Sequence, residues 1–192
     1  MKTKPRKPRP KYRVPRPKSK PAAKKAKKSA SPPNLHGLLL TMIDGAYAEG
    51  IWQSSLSGAV ENLTPEEALW RPSADRHNIW ELVSHIALWK EYAIARLNNK
   101  LTKPDTKPYN ERDWKRVDLA DEAAWKSALA RLQSMHNQLR AMVGKMTDSD
   151  LMAPLPGLKK PVPYLRLIEG AFTHDVYHCG QIRALAVAQG LK

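Results

Sequence analysis

One cysteine, Cys179, in 192 residues excludes an intrachain disulfide framework and suits a reducing, cytoplasmic setting. No apolar run is long enough to span a bilayer. The N-terminal stretch lacks the continuous apolar segment of a secretory signal, and its prolines argue against an amphipathic transit helix. No alternation of apolar and polar residues persists over a useful length, so helices are the only regular element expected. Acidic residues are absent from residues 1–33, and no carboxylate cluster elsewhere suggests the two-metal centre of a nuclease.

That uneven charge divides the chain. The first 33 residues hold 14 Lys and Arg and 8 prolines, with almost no large apolar side chains. Of the formal charge of +15, only +1 remains for residues 34–192, where 19 basic residues face 18 acidic ones. Such a tail buries too little surface to offset its ordering entropy, which predicts disorder with polyproline character over residues 1–33. Residues 34–192 are then one domain, long enough to bury a sizeable core. Two readings of the tail stand: salt-sensitive, nonspecific contact with nucleic acid or another polyanion, or a solubilising extension without a partner. Sequence-specific readout is not expected, because no recognition module accompanies it.

Four long amphipathic helices are predicted in that domain. Asn34 caps a first helix from about Leu35 to Glu61, with a stripe through Leu39, Ile43, Ala46 and Leu56 and two glycines, Gly45 and Gly50, weakening its centre. Thr64 and Glu67 form a capping-box pattern for a short turn over Pro65–Leu69. Asn78 and Glu81 open a second helix that runs to Asn98 and Asn99, with Ile79, Leu82, Val83, Ile86 and Ile94 on its buried face. An exposed connection follows, whose Trp114 returns to the surface or core of the domain. Asp118 is expected to cap a third helix ending at Gly144, and a fourth spans about Tyr164 to Gln189 before Gly190. The fold class is all-α: a four-helix bundle with a longer crossing connection.

His174 and His178 stand one helical turn apart on the apolar arc of the fourth helix, among Leu167, Ile168, Ala171, Ile182 and Leu185. His85 lies three residues after Leu82 and four before Trp89, beside the apolar stripe of the second helix. All three imidazoles are therefore expected to point inward. Buried rings left unsatisfied are costly, and a metal would satisfy one nitrogen of each. The other reading places each histidine in ordinary hydrogen bonds within a partly polar core. The pattern is not the HExxH of a zinc protease, since Asp175 follows His174.

The fourth-helix segment HDVYHCGQI, paired with the histidine of WELVSHIALW, resembles the DinB superfamily of DinB/YfiT-like metalloenzymes over roughly residues 35–190. The resemblance implies a four-helix bundle holding a divalent ion on three histidines, here His85, His174 and His178. Gly180 and Gln181 match the Gly-Gln pair that follows the last ligand. Related branches include thiol-dependent transferases and isomerases, so the resemblance also implies a low-molecular-weight thiol as cosubstrate.

Three neutral imidazoles suit Zn²⁺ or Ni²⁺ and leave a coordination position for water or substrate. The expected activity is a metal-dependent transferase or hydrolase acting on a small molecule. The competing expectation is a noncatalytic, metal-stabilised binding or stress-associated protein with polyanion contact through its tail. Cys179 reads as a small core or interface residue, Asp175 as a helix-surface acid, and Gln181 as a supporting or structural residue rather than a primary ligand. His36 opens the first helix, His77 belongs to the loop before the second, and His136 is expected on an exposed helical face. Trp52, Trp80, Trp89 and Trp125 read as packing elements, with a pocket or a homodimer interface as their other use.

Overall fold

A computed structural model of the chain describes residues 34–50 and 52–191. The expectation of a disordered tail over residues 1–33 lies outside the described residues. Among those described, the structure is all-α, with one isolated bridge between Pro154 and Pro163. The count of four helices is corrected to eight α-helices and one π-helical turn.

The first of them, α1 (Leu35–Asp44), starts where the Asn34 side chain accepts the Gly37 N–H. The chain does not continue helically to Glu61. A π-helical turn, Gly45–Glu49, loosens it first, and Gly50 then takes φ of 64°, outside the helical region. A Cβ at Gly50 would lie 2.8 Å from the Gln53 carbonyl oxygen, so this break depends on glycine. Ser55 then caps the short α2 (Leu56–Val60). The expected box of Thr64 and Glu67 opens α3 (Pro65–Leu69).

Asn78 and Glu81 exchange side-chain and backbone hydrogen bonds at the start of α4 (Ile79–Leu97). This helix is buried on nearly every side and packs against the two other long helices, α6 (Glu122–Val143) and α8 (Tyr164–Ala188). Between α4 and α6 the connection contains a short α5 (Lys107–Asn110). Asp121, not Asp118, caps α6. Asp118 is engaged elsewhere, accepting from Arg71 and Arg116, and so is unavailable to the helix. Thr147 and Asp150 form another capping box for α7 (Asp148–Met152).

Two apolar clusters make the core. One gathers Val83, Ile86, Leu132 and Ile182; the other gathers Ile43, Ile94, Leu139 and Ile168. On α8 the second cluster ends at Phe172 and the first begins at Cys179. The polar residues His174, Asp175 and His178 occupy the interval. No helix among the described residues is long and apolar enough to cross a membrane.

Candidate metal centre

Helical periodicity brings His174 and His178 to one face of α8, and packing sets that face against His85 of α4. His174 Nε2 lies 3.1 Å from His85 Nε2 and 2.9 Å from His178 Nε2. One ligand atom from each ring lies within 4.8 Å of the other two. Nitrogens sharing one ion at bonds of ~2.0–2.1 Å would sit roughly 2.8–3.4 Å apart for ligand angles between octahedral and tetrahedral, so the two measured separations suit a shared cation.

The outer ring nitrogens define the tautomers. His85 Nδ1 lies 2.7 Å from Asp113 Oδ1, an acceptor when ionised, so Nδ1 carries the proton and Nε2 keeps its lone pair. His178 Nδ1 lies 2.6 Å from Gln181 Oε1. The Gln181 amide is oriented by donating its Nε2 proton to the Tyr177 hydroxyl at 3.1 Å, which turns Oε1 toward the ring. The His178 Nε2 lone pair therefore also faces inward. Neutral His174 carries at most one proton on Nε2 and cannot serve both facing lone pairs in linear hydrogen bonds. A cation at the convergence resolves all three.

Burial holds these rings in the ligand-competent neutral form. It drives His174 down to about 3, with the His178 and His85 rings adding to the effect. His85 and His178 are likewise lowered by burial, against the opposing hydrogen bonds of Asp113 and Gln181. His85 is only 8% exposed and His178 only 5%, so little water reaches either ring.

Asp113 comes from the connection after α5 and was not singled out from the sequence. Its second oxygen, Oδ2, accepts the Trp89 indole N–H at 2.9 Å, so one carboxylate orients both a histidine and its aromatic neighbour. The next residue, Trp114, adopts φ of 51°, a conformation that a bulky residue takes only when its surroundings impose it. Its ring stacks on His85 at 4.0 Å and on His77 at 3.8 Å. Trp114 thus returns to the domain as the cover of a site histidine.

The connection is anchored below by Glu81, whose carboxylate accepts from Val117 N–H, Arg71 and the Asn78 N–H. Burial raises the Glu81 carboxyl, but those donors outweigh it and hold it below the usual range.

Several neighbouring residues depart from expectation. Asp175 is not a surface acid: it is buried and receives Lys90 Nζ at 2.5 Å. Both residues sit in apolar surroundings of their own helices, which was the available signal. His136 is not exposed; only 3% of it reaches solvent, and it stacks flat on Tyr47 at 3.7 Å. Its place between Leu132 and Leu139 on α6 was the clue. Trp52 is 99% exposed and contributes no packing, whereas Trp80 and Trp125 pack together in the core.

His36 and His77 stay apart from the cluster. His36 Nε2 pairs with the Val143 carbonyl, and His77 Nδ1 with Glu81. Cys179 is a buried core residue whose thiol donates to the Ser54 carbonyl, and burial raises its pKa. It is unsuited to nucleophilic attack.

Residues 52–182 match the family model of the DinB superfamily. No curated protein and no solved structure matches the chain. The match covers well over half of the sequence, and the chain belongs to the DinB superfamily.

Proposed function

We propose that this DinB-superfamily chain is a metal-dependent transferase or hydrolase that acts on a small molecule through one divalent ion, Zn²⁺ or Ni²⁺, held by His85, His174 and His178. The convergence of three Nε2 atoms, with two tautomers set by Asp113 and Gln181, carries the reading. The ion, when bound, would supply Lewis-acid polarisation of a substrate atom and stabilisation of an anionic nucleophile. Asp113 and Gln181 orient their rings, and Trp114 covers the face of His85.

A low-molecular-weight thiol is the proposed cosubstrate. The chain's own thiol at Cys179 is buried and hydrogen-bonded to the backbone, so a thiolate nucleophile would have to enter from solution. Residues 34–192 carry this chemistry, and the basic sequence of residues 1–33 contacts polyanions.

A noncatalytic metal-stabilised protein is the second reading, favoured by the low exposure of His85 and His178. Metal analysis of untagged protein purified without added metal tests the shared premise. Near-stoichiometric Zn or Ni is expected, and it should be lost in the triple variant His85→Ala, His174→Ala, His178→Ala. Equal metal content in the two proteins after reconstitution overturns the site. Turnover by the loaded wild type, and none after chelation, separates the catalytic reading from the noncatalytic one.

A further inference from the structure

Helices α4 and α8 leave a cavity of about 250 Å³ between them. Trp89 and Tyr92 line it from α4; Leu167, Gly170, Ala171 and His174 line it from α8. His174 is the member of the histidine cluster whose Nε2 meets both others, so the cavity borders the centre of convergence.

Gly170 lies four residues before His174, on the same face of α8 one turn earlier. Glycine inside a helix costs stability relative to alanine. Close packing does not require it here, because a Cβ at this position would meet nothing within 4 Å. The absent side chain is open space on the cavity wall.

The cavity walls offer little to a charged ligand. The Trp89 N–H is committed to Asp113, leaving carbon to face the cavity, and the Tyr92 ring packs edge-on against Trp89 at 5.5 Å. Arg166, which also lines the cavity, is largely exposed and paired with Glu169. The volume falls below the roughly 300–1,000 Å³ of drug-sized ligand sites. Through Asp113, the same carboxylate fixes the aromatic wall and the His85 ring.

Resting on the metal reading above, we propose that this cavity is the substrate-side pocket of the centre, taking an uncharged apolar group about the size of a benzene ring whose polar end lies toward His174. The test uses Co²⁺-loaded protein, read by visible absorption during titration with imidazole or 4-phenylimidazole. Both carry the same donor nitrogen, and only the second carries a ring for the pocket. In the wild type 4-phenylimidazole should bind roughly tenfold or more tightly than imidazole, from burial of the phenyl group. Gly170→Leu fills the space and should abolish that preference, with Co²⁺ stoichiometry and melting temperature retained. Gly170→Ala, a smaller filling that favours the helix, controls for folding. Equal preference in the wild type and Gly170→Leu overturns the pocket.

Should neither Co²⁺ nor the proposed Zn²⁺ or Ni²⁺ bind, the metal reading falls, and the pocket is judged separately on metal-free protein with benzyl alcohol. Saturable shifts of the Ala171 and His174 amide resonances in the wild type, absent for the same two residues in Gly170→Leu, support it. Their absence in the wild type overturns it.

Discussion

Lys90 Nζ and Asp175 Oδ2 meet at 2.5 Å, with each side chain only 2% exposed. The pair joins α4 to α8 beside the histidine cluster, since Lys90 follows the cavity residue Trp89 and Asp175 follows His174. Its surroundings are not fully polar. The other Asp175 oxygen has no hydrogen-bond partner, and the Lys90 ammonium lies 5.8 Å from the Tyr47 ring centroid. Burial pushes the Asp175 carboxyl above the usual range even against the ammonium beside it. Desolvation is thus only partly repaid, so the pair that links α4 to α8 adds little net stability over an apolar pair of similar volume.

Breaking one side of the pair strands a charge in the core. Asp175→Ala is expected to lower unfolding free energy by about 3–5 kcal/mol in urea titrations of metal-free protein. The double variant Lys90→Met, Asp175→Leu removes both charges at similar volume and should return to wild-type stability or exceed it. A single variant that loses less than about 1 kcal/mol would contradict this burial argument.

Asp113 joins His85 and Trp89 through its two oxygens, so its amide analogue cannot replace it. Asn offers one acceptor, and its NH₂ would face one of the two donors. Asp113→Asn should weaken metal binding about 10–100-fold, measured by competition with a chromophoric chelator. Adding Trp89→Phe removes the competing donor and should recover part of the affinity. Gln181→Leu, which leaves the His178 Nδ1 proton without its acceptor, should produce a loss in the same range.

The legible part of the site was the part with helical period. His174 and His178 sit one turn apart in an apolar arc, and the caps at Asn34, Thr64 and Asn78 are where short polar residues precede apolar runs. Asp113 had no such signal: it lies in a connection 28 residues from His85, and long-range packing alone brings them together. Periodicity sets Asp175 on the surface because neighbouring helical residues point apart and a single apolar arc implies one buried side of α8. It is buried on an adjoining arc as well, where Lys90 receives Asp175. The expected first helix failed at Gly50, whose positive φ is a property of local backbone geometry and not of hydrophobic periodicity.

His136 gives the metal-free fold a measurable acid sensitivity. Burial, and then the Lys90 charge, hold its pKa down to about 4, against an unfolded value near 6.5. Between these values the unfolded chain binds the additional proton, so stability is complete above the unfolded pKa and declines as pH falls toward 4. The slope from this residue approaches about 1.4 kcal/mol per pH unit within the window. His174, lowered to about 3, adds a second proton of the same sign. His136→Phe retains a ring against Tyr47 and removes the unpartnered Nδ1. Chemical denaturation from pH 4 to 7 should show a shallower dependence in this variant; an unchanged slope would count against a neutral buried His136.

Residues 1–33 carry 14 of the 33 Lys and Arg residues and no acid, whereas residues 34–192 have a net charge of +1. If polyanion affinity follows this division, full-length protein should bind a random-sequence DNA duplex at low salt, and residues 34–192 alone should bind it negligibly. Raising salt from 50 to 200 mM should weaken full-length binding by roughly 10³–10⁵ if six to ten phosphates are contacted, because each contact releases condensed counterions. Fluorescence anisotropy measures both effects. Metal content of the shortened protein should match that of the full chain, since His85, His174, His178 and their partners Asp113 and Gln181 all lie beyond the deletion. Retained DNA affinity after deletion would place the anion-binding surface on the near-neutral helical domain and overturn the charge-based division.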